Sequence, residues 1–196
     1  MTKIKIIVGS TRPNRFGIQP ATWIHELSKL QKNTSFELID LQEVSLPFLD
    51  ESIPPAMQQY QQPHTKAWSK VINEADGFII VTPEYNHGMP AALKNAIDFL
   101  VPEWAYKPVA FVSYGAEAGG ARSIEQLRQV VAWLKMYDLA DHVIIPNYWT
   151  QLDSEGVFQP SQAQTDAAHR LISSVATWSK AMKPIREKIN ESSEAK

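Results

Sequence analysis

VTPEYNHGMPAALKNAIDFL, residues 81–100, is the stretch on which the reading of the fold turns. Val81 and Thr82 close an apolar run from Gly77, of the kind that makes a strand buried on both faces. Pro83-Glu84-Tyr85-Asn86-His87-Gly88 follows as a polar and aromatic elbow. A helix is expected over Pro90–Leu100. Proline in a first turn loses nothing by lacking an N–H, and Leu93, Ile97 and Leu100 recur at i, i+4 and i+7. Strand, irregular loop, helix start is the arrangement that places ligands at the carboxyl ends of strands in open α/β sheets.

Outward from this stretch the same alternation repeats. Towards the amino terminus, Pro63–Ala75 reads as a helix with Trp68, Val71 and Ile72 on one side. Glu43–Gln62 is a long connection rich in proline and glutamine. With Leu46, Phe48, Leu49 and Ile53 it is too apolar for a free linker, and it is expected to pack on the surface. Ser35–Leu41 and Lys3–Gly9 read as strands, separated by a helix over Gln19–Leu30. Towards the carboxyl terminus, Pro102 stops the central helix. Pro108–Tyr114 is a strand, Ala121–Tyr137 a helix and His142–Ile145 a short fifth strand. Ser161–Ile189 is a long helix expected to bend or break at Pro184, and Asn190–Lys196 a frayed tail. Strands alternating with helices imply βαβ units and a parallel sheet. Right-handed crossovers and five strands leave the order 2-1-3-4-5, with helices on both faces, as the simplest topology.

Composition sets bounds on partners. The 196 residues fit one domain, 1–196, with a sizeable core, at 44% hydrophobic and 20% charged. A formal net charge of -2 gives no electrostatic case for nucleic acid or an anionic membrane. There are no cysteines, which removes disulfides, thiolate metal sites and cysteine nucleophiles together and suits a reducing cytoplasm. The first ten residues hold too short an apolar run for a signal peptide, and no segment reaches the length needed to span a bilayer. His25, His64, His87, His142 and His169 show no metal spacing.

In the 2-1-3-4-5 order the ends of strands one, three and four are neighbours, and each carries an unusual loop. Ser10–Gly17 offers hydroxyls at Ser10 and Thr11, charge at Arg12 and Arg15, and the N-terminus of the following helix, all suited to an anion. It matches neither the phosphate-loop pattern Gly-Lys-Ser/Thr nor Gly-x-Gly-x-x-Gly; a surface turn with two solvated arginines is the plainer reading. In Pro83–Gly88, Tyr85 can stack on a flat ring and Asn86 can bond its edge, or Tyr85 can pack in the core and Asn86 cap the next helix. Ser113–Gly120 has three glycines, Gly115, Gly119 and Gly120, which permit close backbone approach to a ligand or simply make a flexible loop.

GSTR, PEYNHGMPAALKNAIDFL and SYGAEAGGARSIEQLR together resemble the NADPH-dependent FMN reductase family of flavodoxin-like quinone reductases and azoreductases, in order over residues 3–145. The resemblance implies FMN as cofactor and NADPH or NADH as reductant. It implies that Ser10, Arg12, Arg15 and the amides near Gly17 hold the FMN phosphate. Many members have a serine three residues after the arginine, where this chain has Arg15. It implies further that Pro83, Glu84, Tyr85 and Asn86, with Ser113, Tyr114, Gly115, Gly119 and Gly120, border the isoalloxazine. Finally it implies a homodimer or homotetramer through the 90–100 helix, on which Lys94, Asn95 and Asp98 are polar, with flavin sites near the seam. Trp104, Tyr106 and Trp149 are then walls of the cleft or members of the core.

The expected activity is transfer of hydride from NAD(P)H through flavin N5 to a quinone, azo compound, flavin or similar acceptor at one shared place, with no side-chain acid or base assigned. The rival reading is an FMN electron carrier or redox-sensing module without turnover of its own. Such carriers tend to be strongly acidic for docking, and this chain is near neutral. A receiver domain would need an acidic cluster where Gly9 and Ser10 stand, and a cysteine phosphatase would need a cysteine.

Overall fold

The computed structural model describes residues 1–194. The sheet has five parallel strands in the order β2-β1-β3-β4-β5: β1 Thr2–Val8, β2 Thr34–Asp40, β3 Gly77–Pro83, β4 Pro108–Gly115 and β5 Tyr137–Pro146. Between them run α1 Ile18–Ser28, the short α2 Leu41–Val44, α3 Pro63–Asn73, α4 Ala91–Asp98 and α5 Ala121–Trp133, and the chain closes with α6 Gln162–Glu194.

The strand sequences sort their side chains into two cores by the two-residue alternation of a pleated sheet. Ile4, Ile6 and Val8 of β1, Ile79 and Val81 of β3, and Ala110, Val112 and Tyr114 of β4 face α1 and α6. Ile7, Phe78, Ile80, Val109 and Phe111 face the other way, against α3, α4 and α5. Trp68 and Ile72 of α3 lie in this second core as the helical spacing predicts, and the Trp68 indole donates to the Ala96 carbonyl at 2.8 Å. The order and the two layers are those expected from sequence.

Several boundaries differ. Pro90 is the cap of α4 rather than its first turn: its ψ of 141° is extended, and the helix proper starts at Ala91. α5 ends at Trp133, not near Tyr137, because Lys135 takes a left-handed φ of 57° and turns the chain back. β5 then runs ten residues instead of His142–Ile145. As the edge strand it buries only Leu139, Val143 and Ile145, and its pairing with β4 shifts register between Val109 and Phe111, so its first half carries Asp138 and Asp141 and lacks the apolar run of a central strand. Pro184 sits inside α6, which is not broken there and continues to Glu194. The helix therefore covers most of the expected frayed tail, while residues 195–196 lie outside those described. The 43–62 connection is tied down. Leu49 N–H and the Pro47 carbonyl both bond the Asn95 side chain, and Glu51 accepts from the amides of Gln61 and Gln62.

Candidate active site

At the carboxyl end of the sheet a cavity of about 210 Å³ is lined by Arg12, Arg15, Phe16, Pro83, Glu84, Tyr85, Tyr114, Gly115, Ala116, Tyr148 and Trp149. Seven of the thirteen residues singled out from sequence border it directly: Arg12, Arg15, Pro83, Glu84, Tyr85, Tyr114 and Gly115. A second cleft of about 270 Å³ on the other side of the first loop, lined by Thr11, Gln42, Ser45 and Asn95 among others, has no cation and no aromatic wall.

The first loop joins β1 to α1. Arg12 is exposed, and its guanidinium makes no hydrogen bond or ion pair among the described residues. Its amide leans on the Ser10 hydroxyl at 3.5 Å. Gly17 precedes α1 with no side-chain cap; Gln19 N–H is bonded to the Phe16 carbonyl at 2.9 Å and Pro20 has no N–H, so Ile18 supplies the first-turn amide left for an anion. Arg15 is differently placed. It lines the cavity, yet its guanidinium is paired with Asp40 at the end of β2 and with Gln42 just beyond it. Ser10 is buried, and its hydroxyl shares a 2.9 Å hydrogen bond with the Tyr85 phenol.

The second loop is a tight turn. Asn86 and His87 both have positive φ, 50° and 68°, and Tyr85 and Gly88 exchange backbone hydrogen bonds of 2.9 and 3.0 Å across them. This is the primed turn for which Asn is suited. It explains Asn86 without any helix cap, since α4 has no side-chain cap. The turn leaves Tyr85 at the rim, 38% exposed, and Asn86 and His87 in solvent. Glu84 is committed elsewhere. Its carboxylate accepts from Arg122 Nη1 at 2.7 Å and from the Arg122 amide at 3.2 Å, and so ties this loop to the start of α5.

In the third loop the glycines answer to packing. Gly119 has φ +58°, and an added Cβ would stand 2.2 Å from Ile144 Cγ2; Gly120 has φ +88°, with Tyr114 N and O each 2.9 Å from such an atom. The Ser113 hydroxyl is buried and donates to the Gly119 carbonyl at 2.8 Å. These three hold the loop's shape and are not themselves at the cavity wall. Gly119 N–H is engaged with the Ala116 carbonyl, which leaves the exposed segment Ala116–Ala118 to offer backbone donors.

Aromatic residues make the floor. Phe16 and Tyr148 stack with centroids 4.5 Å apart, and Tyr114 meets both edge-on at 5.1 and 5.6 Å. Gly17 is required here, since a Cβ would come within 2.6 Å of the Tyr114 hydroxyl. Burial, reinforced by nearby Tyr85, pushes the Tyr114 phenol above its ordinary range and keeps it protonated. Phe16 and Tyr148 are not among the residues singled out from sequence, whereas Ala116 falls within the Ser113–Gly120 loop that is. The signal for Tyr148 was the doublet Tyr148-Trp149 directly after the fifth strand, where Asn147 turns the chain with φ 43°. Of the three proposed aromatic walls, Trp149 lines the cavity, while Trp104 is core, 1% exposed with its indole bonded to the Ile97 carbonyl. Tyr106 lines a separate cleft with Glu103 and Lys135, remote from this edge at the start of β4.

A free arginine, a helix start and a slot walled by five aromatic rings fit a flat ligand bearing a phosphate. Among the described residues no three His, Asp or Glu side chains are placed to hold a metal, and no helix is long and apolar enough to cross a membrane.

The family model described as NADPH-dependent FMN reductase matches residues 2–150. An NAD(P)H-dependent FMN reductase of Schizosaccharomyces pombe is 46% identical over 136 residues, 68% of each chain. A 2-hydroxy-1,4-benzoquinone reductase of a Burkholderia species is 34% identical over 142 residues, covering 67% of this chain and 71% of that one. Among solved structures, the flavoenzyme NAD(P)H:(acceptor) oxidoreductase of Paracoccus denitrificans superposes with a TM-score of 0.72 at 18% identity, over 93% of this chain and 99% of that one, a likeness of fold.

Proposed function

The chain belongs to the NADPH-dependent FMN reductase family of oxidoreductases, and we propose that it is a single FMN-binding domain that passes hydride from NADPH or NADH to a quinone or similar flat acceptor at one shared place. The observation that carries this reading is the unpartnered Arg12 at the mouth of an aromatic slot on the carboxyl ends of β1, β3 and β4. When bound, FMN supplies a two-electron acceptor and donor at N5.

The chain's own residues do the rest. Arg12, as a planar bidentate donor, and the Ile18 amide at the start of α1 would hold the phosphate. Ser10 and Tyr85 close the passage between phosphate and ring. The backbone of Ala116–Ala118 presents donors to the electron-rich edge of the ring, a fixed polar environment that costs no reorganisation during transfer. Tyr85 and Trp149, both partly exposed, leave one ring face open for nicotinamide and then for the acceptor. No side chain is given a proton to move. An electron carrier would lack turnover; a reductase with one shared place should give parallel double-reciprocal lines when NAD(P)H and a benzoquinone are varied, and intersecting lines would contradict the shared place.

Dimerisation through α4 is part of the same proposal. Lys94 and Asp98 pair with each other at 2.7 Å and, with Leu100, Val130 and Trp133, line an open groove between α4 and α5 in which Trp133 is 85% exposed. A large exposed aromatic beside apolar neighbours suits a contact with a second copy. Sedimentation of the FMN-loaded chain should give at least twice the chain mass; a monomer would refute it.

A further inference from the structure

The charge on Arg15 is already answered inside the protein. Asp40, the last residue of β2, is 8% exposed and uses its two oxygens differently. Oδ1 accepts from the Gln42 amide at 3.0 Å and caps α2, while Oδ2 is paired with Arg15 Nη2. The Gln42 side-chain oxygen takes Arg15 Nη1. The guanidinium is therefore gripped by a carboxylate that is itself anchored to backbone at the end of a strand. Arg15 Nε is buried with no partner among the described residues, so the head group is not saturated. Arg15 belongs to the loop that also carries Ser10 and Arg12, and its side chain forms part of the cavity wall.

We infer that Asp40 is a positioning residue for the FMN phosphate: by holding Arg15 it fixes the Ser10–Gly17 loop against the end of β2, so that the loop is set for the anion before the anion arrives. The inference rests on the reading of the cavity as an FMN site. Preorganisation of this kind raises affinity by removing the ordering cost from the binding step. The neutralised Arg15–Asp40 pair also leaves Arg12 as the uncompensated cation of the loop. Two opposite consequences follow for loss of the Asp40 charge. If positioning dominates, phosphate binding weakens; if Asp40 acts only as a counter-charge to Arg15, phosphate binding tightens.

Asp40→Asn separates these from loss of fold. Asparagine keeps an acceptor for the Gln42 amide and is as good a helix cap as aspartate, yet it brings no charge to Arg15. The flavin-free wild type and variant are each titrated with FMN and with riboflavin, following quenching of flavin fluorescence. The expected result is that FMN binds wild type more tightly than riboflavin, and that Asp40→Asn weakens FMN about tenfold while riboflavin changes less than twofold. Gln42→Ala, an exposed position, should shift the same ratio in the same direction by a smaller factor. Tighter FMN binding, equal weakening of both flavins, or an unchanged ratio would each overturn the role of Asp40. A wild type that takes up neither flavin overturns the cavity assignment instead.

Discussion

Replacing Gly120 by alanine should destabilise the protein by on the order of 3 kcal/mol or more and should abolish retention of FMN. Gly120 occupies the cap position of α5 with φ +88° and ψ 10°, a region that L side chains enter at a cost of about 1–2 kcal/mol. The new methyl group would stand 2.8 Å from Ser113 Cβ and 2.9 Å from both the nitrogen and the oxygen of Tyr114. Those atoms belong to β4, which is hydrogen-bonded to β3 on one side and β5 on the other, so they cannot yield. Relief requires the loop to lift away, and that loop runs through Gly115 and Ala116 at the cavity wall. Gly156→Ala is the matched control. Gly156 also has positive φ, +75°, but nothing lies within 4 Å of its added Cβ, so only the conformational cost remains, about 1 kcal/mol. Thermal unfolding of the flavin-free chain measures the difference. Equal small shifts for the two variants would mean that the third loop is softer than its packing implies.

Arg12→Ala should weaken FMN by about ten- to a hundredfold, the equivalent of a lost charge-assisted contact of about 1.5–3 kcal/mol, and should leave the unfolding midpoint of the flavin-free chain unchanged. The two halves of this expectation have one cause. The Arg12 side chain is exposed and makes no polar contact among the described residues, so its removal strands nothing. Arg15→Ala is the contrast, because it would leave the Asp40 carboxylate at 8% exposure without its cation, and an uncompensated buried charge is costly. Arg15→Ala should therefore lower both stability and FMN affinity, whereas Arg12→Ala lowers affinity alone. Full FMN affinity in Arg12→Ala would remove this residue from the site.

The sheet was legible in the sequence because its central strands are buried on both faces, and KIKIIVG, GFIIVT and PVAFVSY announce that burial directly. From the strand order alone the Ser10, Pro83 and Ser113 loops had to share an edge. What stayed hidden depends on contacts between distant segments. β5 is an edge strand with a register shift, and its polar first half concealed both its length and the placing of Tyr148 at its end. The pairing of Arg15 with Asp40 joins residues 25 apart through the adjacency of β1 and β2, and neither residue type reveals it. The glycines of the third loop were read as room for a ligand, whereas Gly119 and Gly120 are dictated by the backbones of β4 and β5. Glu84 and Ser113, singled out for the ligand, turn out to fasten the loops that surround it. Composition marked which segments form the edge, and packing decided which side chains are left over for chemistry.

Three loops at the carboxyl edge of this sheet, we propose, make one slot for a flat, phosphorylated flavin. The most direct test is the visible absorption spectrum of the pure protein after incubation with FMN and removal of free ligand by gel filtration. The expected result is a yellow protein carrying one flavin per chain, bleached on addition of NADH or NADPH and recoloured by benzoquinone. A protein that emerges colourless, with all FMN in the later fractions, would contradict it.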